Sequence, residues 1–550
     1  MTINDTESPF EEIMFDLVRS MIPEIFPEFE QHEASADCPL EACRYVRDKT
    51  DDLLTQNRIL SESDFVHVLS KGFNLFDEPL PLNDSDKQEC SPCLGARDTS
   101  DFAAPDTSTL IGRQEIEEQL DSYAIPDFGG LSDRISSPVL ISEFNPMPFD
   151  VYTIRKDFPI LDEKINGKNL IWFDNAATTQ KPRQVIDRLK YFYEHENSNI
   201  HRAAHTLAAR TTDAYEGARK KVAAFLNADG SHEIVFVRGA TEGINLVAQT
   251  YGLQNLQKDD EVIITMLEHH ANIVPWQMVC KQTGARLKAA PVDDEGQIIL
   301  YEFEKLLSAR TKLVAFTHVS NALGTITPVF EMIDMAHRHG AKVLVDGAQA
   351  AAHLKVDVKA LDCDFYVFSG HKVFGPTGIG VLFGKADLLE AMGPYQGGGN
   401  MISDVTIEKS SYKSPPHRFE AGTGSIADAI GLGAALDYIS KVGLDAIFQY
   451  EHELLEYARS SLQQIPGLML LGHAPQKTGI LSFLMEGHTP EEVGKALNKE
   501  GIAVRTGHHC SQPILRRYGL ESTIRASFAL YNTREEIDFF VSTLQNIAPS

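Results

Sequence analysis

Beyond residue 150, short apolar runs alternate with longer segments whose apolar residues recur at helical spacing. The short runs are rich in valine, isoleucine and phenylalanine, and they predict five buried strands at 234–237, 261–264, 313–316, 342–345 and 365–368. Alternation of strands and helices is typical of an α/β domain with a mainly parallel sheet. In such a sheet, ligands bind beyond the carboxyl ends of the strands.

Residues 1–148 lack this alternation. Apolar spacing predicts one amphipathic helix between Phe10 and Ile22, which Pro23 and Pro27 end. The remainder scatters short apolar clusters among Asp, Ser, Glu and Pro, which cannot easily supply a shared core that offsets chain entropy. We expect a mostly disordered segment whose clusters are docking sites. The alternative is a tail that only adds solubility.

Charge separates the same two regions. Of the net charge of −28, residues 1–150 carry −22, from 32 acidic and 10 basic side chains, which leaves −6 for the rest. A surface this negative repels phosphate backbones and anionic headgroups, so neither nucleic acid nor membrane is an expected partner. No signal peptide opens the chain and cysteines are few, which indicates a cytoplasmic protein with reduced thiols.

Four of the seven cysteines lie in the acidic segment. Cys38 with Cys43, and Cys90 with Cys93, have spacings that metal sites use. The 46 residues between the pairs weaken that interpretation, so metal binding there stays open.

A turn of small residues follows the first predicted strand. Gly239, Ala240 and Thr241 open a helix whose free amides and dipole suit a phosphate group. The alternative is an ordinary helix N-cap at Thr241.

Two charged residues follow the next strand ends. Asp346 ends the fourth predicted strand, and Lys372 follows the fifth, 26 residues later. A carboxylate can pair with a pyridinium nitrogen while an amine forms a Schiff base, so with the phosphate turn this pattern indicates pyridoxal 5'-phosphate (PLP). His269 or His270, after the second strand, is expected to stack on its ring.

A thiol near the C-terminus lies among positive groups. Arg505, His508 and His509 precede Cys510 in a polar loop, and positive neighbours favour the nucleophilic thiolate. Metal binding by the histidine pairs and Cys510 is the alternative, but no H-x3-H spacing supports it and we expect no metal. Cys280 and Cys363 are interpreted as buried structural residues.

Together these motifs resemble the SUF-type, or group II, cysteine desulfurases, which are fold-type I PLP enzymes. The resemblance covers residues 150–548 and rests on the segments NAATTQKP (175–182), EHHANIVPW (268–276), DGAQ (346–349), SGHK (369–372), RFEAGT (418–423) and RTGHHC (505–510). It implies a PLP-binding large domain at 162–440 with a mainly parallel seven-stranded sheet. A smaller α+β domain is implied at 149–161 and 441–550.

The resemblance also implies a role for each matching residue. Cys510, Lys372 and His269 are the implied catalytic residues. The implied cofactor-binding residues are Lys372, Asp346, Gln349, Thr241, Ala240, Ser369, His371, His269 and, from the opposite subunit, Thr423. Arg525, Asn321 and Arg505 are the implied substrate-binding residues. The implied reaction converts L-cysteine to L-alanine and leaves a persulfide on Cys510, whose sulfur passes to an acceptor protein. The resemblance also implies a homodimer.

The acidic extension resembles, in architecture, the cargo-loading arm of cysteine desulfurases packaged inside encapsulin shells. That resemblance implies an encapsulin nanocompartment as a location, with residues 109–113 and 144–148 as candidate binding segments. The alternatives are an ordinary cytosolic SUF-type desulfurase whose extension binds another partner, a selenocysteine lyase, and a scaffold protein. A scaffold has no need of these reactive side chains.

Overall fold

The structure, a computed structural model, describes residues 149–201 and 205–548. The helix predicted at 10–22, the four cysteines of the acidic segment and both candidate shell-binding segments lie outside these residues. The strands are β1 (Lys164–Ile165), β2 (Lys168–Asn169), β3 (Ile171–Trp172), β4 (Ile234–Val237), β5 (Glu261–Thr265), β6 (Arg286–Ala290), β7 (Thr311–Thr317), β8 (Lys342–Asp346), β9 (Phe365–Ser369), β10 (Gly380–Gly384), β11 (Ile402–Val405), β12 (Ser410–Tyr412), β13 (Leu468–Leu471), β14 (Ile480–Met485), β15 (Ile502–Ala503), β16 (Arg505–Gly507) and β17 (Thr523–Ser527).

The α-helices include long ones that cover the sheet and single turns that connect strands. They are α1 (Val151–Arg155), α2 (Arg183–His195), α3 (Thr206–Leu226), α4 (Ala240–Val247), α5 (Leu253–Asn255), α6 (Val274–Thr283), α7 (Leu300–Leu306), α8 (Val329–Arg338), α9 (Val358–Leu361), α10 (Ala386–Ala391), α11 (Ile426–Val442), α12 (Leu444–Leu462), α13 (Pro490–Lys499), α14 (Gln512–Arg517) and α15 (Arg534–Ile547). Within the described ranges, no helix is long and apolar enough to cross a membrane.

A seven-stranded sheet forms the centre of the larger part, in the order β4-β10-β9-β8-β7-β5-β6. The five strands from β9 to β6 run parallel, whereas β10 is antiparallel to both β9 and β4. The predicted mainly parallel seven-stranded sheet is confirmed. Alternate residues of each strand enter two separate cores, one on each face: Val343 and Val345 belong to one, and Leu344 to the other.

All five predicted strands are present, but β6 and β10 were not predicted. β6, with the sequence Arg-Leu-Lys-Ala-Ala, lies at the edge of the sheet. Most of its side chains are exposed or half-buried, so the strand does not need the continuous apolar run by which the five other strands were predicted. β10 has only three apolar residues between two glycines. Only glycine fits at position 380, because a Cβ there would lie 2.5 Å from the Cα of Gly239.

A second, antiparallel sheet of four strands lies in the C-terminal part, in the order β13-β14-β17-β16. Helices α12, α13 and α15 contribute buried residues to the core on this sheet. β15 pairs in parallel with β3, which joins residues 502–503 to the start of the described chain. The residue limits of the two predicted domains stay predictions.

Candidate active site

The carboxyl ends of the parallel strands bring the predicted site residues to one edge of the large sheet. Asp346 is the last residue of β8 and Ser369 the last of β9. Lys372 lies in a 3-10 turn directly after β9, and His269 lies four residues after β5. Because parallel strands end on the same side, side chains far apart in sequence become neighbours.

Lys372 lies where the charges of four other predicted site residues act on its amine. Burial lowers the pKa of Lys372 to about 8; Asp346 and the Cys510 thiolate oppose this effect, whereas Arg525 and Arg505 add to it. An amine with a lowered pKa is partly neutral near pH 7 and can react with a carbonyl.

Asp346 is a buried carboxylate. It is only 3% exposed, and its Oδ1 accepts a hydrogen bond of 3.0 Å from the Ala348 amide. Burial raises the pKa of Asp346, while the Ala348 amide and Lys372 counteract the rise. A buried carboxylate of this kind gains from a cationic partner such as a protonated ring nitrogen. Nearby, Gln349 is also buried, and its Nε2 donates to the Ala176 carbonyl at 2.6 Å.

The helix after β4 begins at Ala240, with Gly239 as the N-cap and no side-chain cap. An ordinary N-cap at Thr241 is therefore wrong, since Thr241 is the second residue of the helix and is exposed. The Ala240 amide donates to Ser369 Oγ at 2.9 Å, which ties the turn to the end of β9. The helix N-terminus, which has no cap from the Gly239 position, and the Ser369 hydroxyl together form a cradle that suits an anion.

Lys181 supports the Lys372 turn, although its sequence motif was quoted without a role for it. Its ammonium donates to the His371 carbonyl at 3.1 Å and to Thr178 Oγ1 at 3.3 Å. Burial lowers the pKa of Lys181 to about 8 and that of His371 to about 4. The His371 imidazole is therefore neutral at pH 7.

His269 is neutral and has a defined tautomer. Its Nδ1 accepts a hydrogen bond of 3.1 Å from the Ala271 amide, so the proton lies on Nε2. Burial lowers the pKa of His269 to about 3, and the positive charge of Lys372 contributes to the shift. A neutral imidazole of known tautomer can stack on an aromatic ring and donate one hydrogen bond.

Arg525 is a buried guanidinium with an unused donor. Its NH1 donates to the Asn321 carbonyl at 2.9 Å and its NH2 to Asp174 Oδ1 at 3.1 Å. Nε is buried and has no hydrogen-bond partner among the described residues. Burial lowers the pKa of Arg525 to about 10. Asp174 was not predicted, because nothing in the sequence shows that this residue lies beside β17.

Cys510 lies in a segment that we call the thiol loop, residues 507–511. His509 and Cys510 both have left-handed backbones, with φ of 54° and 57°, which is uncommon for residues other than glycine. The Cys510 carbonyl accepts from the His270 amide at 2.7 Å, and Asn321 Nδ2 donates to the His509 carbonyl at 2.7 Å. The loop is therefore anchored to the large sheet on both sides of the thiol.

Cys510 is half-buried, whereas Cys280 and Cys363 are buried. Burial raises the pKa of the Cys280 thiol to about 11 and raises that of Cys363 further. Among the three cysteines that the structure describes, only Cys510 is accessible for transfer chemistry.

Of the histidines near Cys510, His270 and His508 come close to the thiol, with ligand atoms within 4.8 Å of one another. His269 and His509 are not members of that group. Thr423 is exposed, and its Oγ1 accepts from Asn199 Nδ2 at 3.3 Å. A phosphate contact from Thr423 of a second copy stays a prediction.

The chemistry of this donor set fits PLP. The cradle at Gly239 and Ala240 suits the phosphate, the buried carboxylate of Asp346 suits the pyridine nitrogen, and Lys372 supplies a buried amine with a lowered pKa. The unpartnered Nε of Arg525 suits a substrate carboxylate.

Comparison with known proteins agrees with this geometry. The class V aminotransferase family model matches residues 171–540. A cysteine desulfurase of Enterobacter is 51% identical over 73% of this chain and 99% of its own length. The chain belongs to the cysteine desulfurase family of the class V aminotransferases. A cysteine desulfurase of Synechococcus elongatus is 65% identical over 72% of this chain, and the chain spans 64% of that relative's length.

Solved structures of this family show the same architecture. A cysteine desulfurase of Escherichia coli is similar with a TM-score of 0.68 and 39% identity, over 73% of this chain and 98% of its own. The cysteine desulfurase of Thermococcus onnurineus is similar with a TM-score of 0.70 and 38% identity, over 73% of this chain and 99% of its own. The fold-type I architecture and PLP as the cofactor, both expected from the sequence, are thereby confirmed.

Proposed function

We propose that this protein is a cysteine desulfurase that converts L-cysteine to L-alanine and retains the sulfur on Cys510 as a persulfide. The observation that carries the proposal is the position of the Cys510 thiol. A negative charge on this sulfur raises the pKa of both the Lys372 amine and the Arg525 guanidinium, so the nucleophile shares one site with the groups suited to the cofactor and to the substrate carboxylate.

Each residue has a distinct task in this proposal. Arg525 binds the carboxylate of L-cysteine, with Asn321 and Arg505 beside it, and the free Nε provides a donor without breaking an existing bond. Lys372 holds PLP and then moves the proton at the substrate Cα. Asp346, Gln349, Ala240, Thr241, Ser369 and His371 hold the cofactor, and His269 stacks on it. PLP, when bound, withdraws electrons from the substrate Cα.

Sulfur transfer follows from the accessibility of Cys510. Its thiolate attacks the sulfur of the substrate, and a new S–S bond forms as the Cβ–S bond of cysteine breaks. The electron pair of the broken bond stays with Cβ, which takes up a proton equivalent to the one lost from the substrate sulfur. Return of the first proton by Lys372 to Cα then completes alanine.

Changing Cys510 to Ser tests the function. We expect L-cysteine turnover to be abolished while the visible absorbance of bound PLP is unchanged, because the thiol contributes no contact that holds the cofactor. Alanine formation by the Cys510→Ser variant at the wild-type rate would contradict the proposal. Cys280→Ser is the matched control, and it should keep its activity because that thiol is buried in a hydrophobic core.

Within this family we propose the SUF-type, group II assignment, with a homodimer as the working unit and a sulfur-acceptor protein as the second partner. Support comes from the anchored thiol loop and from Thr423, which is exposed in one chain and is suited to contact the phosphate of a second copy. Dimerisation is measured by analytical ultracentrifugation. A monomer with full activity would contradict it.

We propose that residues 1–148 direct the enzyme into an encapsulin shell. The supporting observations are the net charge of −22 on residues 1–150 and the apolar clusters spaced along the segment, since several weak contacts on a many-site shell multiply in affinity. Co-expression of the full chain, or of residues 149–550, with a candidate shell protein tests this. Equal co-sedimentation of both with the shell would contradict the proposal.

A further inference from the structure

Two histidines from different parts of the chain flank the Cys510 thiol. One ring nitrogen of His270, one of His508 and the Cys510 sulfur all lie within 4.8 Å of one another. The two imidazole rings are 5.4 Å apart between centroids. His270 belongs to the large-sheet edge and His508 to the thiol loop, so this arrangement exists only in the folded chain.

Backbone amides determine which nitrogen of each ring carries the proton. The Cys510 amide donates to His508 Nδ1 at 3.0 Å, so a neutral His508 has its proton on Nε2. The Gln512 amide donates to His270 Nε2 at 3.3 Å, so a neutral His270 has its proton on Nδ1. Each ring therefore has an N–H donor at its remaining nitrogen and no free lone pair.

His509, the other histidine of the thiol loop, has a different role. Its ring is buried, Nε2 lies 2.8 Å from Thr523 Oγ1, and its carbonyl accepts from Asn321. His509 therefore anchors the loop and is not directed to the sulfur.

We propose that His270 and His508 form a binding site for the sulfur anion on Cys510, to which both rings donate an N–H. This inference rests on the proposed function, in which the anion is first a thiolate and then a persulfide. The terminal sulfur of a persulfide lies about 2 Å beyond Sγ, which keeps it within reach of two rings that each have one nitrogen within 4.8 Å of Sγ. A soft metal ion needs ring lone pairs, which the two backbone amides already occupy.

Alkylation of Cys510 in the purified full-length protein tests the site without substrate. The rate with iodoacetamide is followed against pH by mass spectrometry of the peptide that contains Cys510. His508→Gln keeps an N–H near the Nε2 position but loses the acceptor at Nδ1. His508→Asn keeps an acceptor near Nδ1 but loses the donor at Nε2.

We expect the pH of half-maximal alkylation to rise by about one unit in His508→Asn, which corresponds to the loss of one hydrogen bond to an anion. His270→Leu should behave in the same way, and His508→Gln should stay near the wild type. The exposed His473, changed to Gln, is the matched control and should cause no shift.

The reverse order would overturn the inference. If His508→Asn matches the wild type while His508→Gln shifts, His508 only holds the loop. Protection of Cys510 by micromolar Cd²⁺ that is lost in His270→Leu would show a metal site instead. Alkylation requires neither cofactor nor turnover, so it can be measured whether or not the protein is a desulfurase. If the expected pH shifts appear but the protein has no desulfurase activity, the sulfur site is supported and the proposed function is contradicted.

Discussion

The Lys372 side of the site and the thiol loop differ in how each holds its reactive group. Lys372 follows a strand that is buried along its whole length, in a turn braced by Lys181, and faces the buried Asp346. Cys510 is half-buried, on a loop with two successive left-handed residues. In the proposed function, a cofactor that stays in place requires fixed electrostatics, whereas a sulfur that leaves to an acceptor requires access. The two regions are suited to these separate tasks.

The largest expected effect lies on the Lys372 side. Lys372→Ala should reduce desulfurase activity by about 10⁴-fold or more, because in the proposed function the amine serves both as the covalent cofactor ligand and as the proton carrier. Its absorbance spectrum should also change, unlike that of Cys510→Ser. PLP absorbance and alanine formation are measured for Lys372→Ala and Cys510→Ser. An unchanged PLP spectrum in Lys372→Ala would contradict the assignment of cofactor binding to the Lys372 side.

Arg525 lies between the two regions and should show the next largest effect. Arg525→Lys should lower kcat/KM for L-cysteine by about 100-fold. A lysine cannot reproduce a planar guanidinium that contacts Asn321 and Asp174 and, in the proposed function, also binds the substrate carboxylate. Arg517→Lys is the matched control, since Arg517 forms an exposed ion pair with Asp294. Equal kinetics for the two variants would show that Arg525 is structural.

The lowered pKa of Lys372 predicts a pH dependence for PLP uptake by the apoprotein. The neutral amine attacks the PLP carbonyl, and with a pKa of about 8 its fraction rises about tenfold between pH 7 and pH 9. Uptake should therefore accelerate as the pH rises through 8 and then level off. Stopped-flow absorbance measures the rate. A rate that keeps rising about tenfold per pH unit to pH 10, without levelling off, would indicate an unperturbed lysine.

The smallest expected effect concerns the anchor of the thiol loop. Asn321→Ala removes the hydrogen bonds to the His509 carbonyl and to Ser511 Oγ, and should slow persulfide formation about fivefold. The PLP spectrum should stay unchanged. A change in that spectrum would mean that the loop and the Lys372 side are not separable.

The predictable part of the fold follows from runs of apolar residues. Strands such as β8 and β9 are buried on both faces, so their apolar runs are continuous and recognisable. β6 escapes prediction because an edge strand needs no such run. Lys372, Asp346 and Cys510 are recognisable because motifs surround them. Asp174 and the role of Lys181 are not, because their partners lie 351 and 190 residues away.

The sequence alone determines that an α/β chain carries the groups for PLP chemistry and a thiol beside positive residues, since each depends on local composition and spacing. Only the tertiary structure determines which histidine does what. Residue type and spacing alone do not distinguish His269 from His270, or His508 from His509. Packing buries His509 against Thr523 and brings His270 to Cys510, 240 residues away. The physical reason is that a histidine's tautomer depends on the amides packed around its ring, which here are those of Ala271, Cys510 and Gln512.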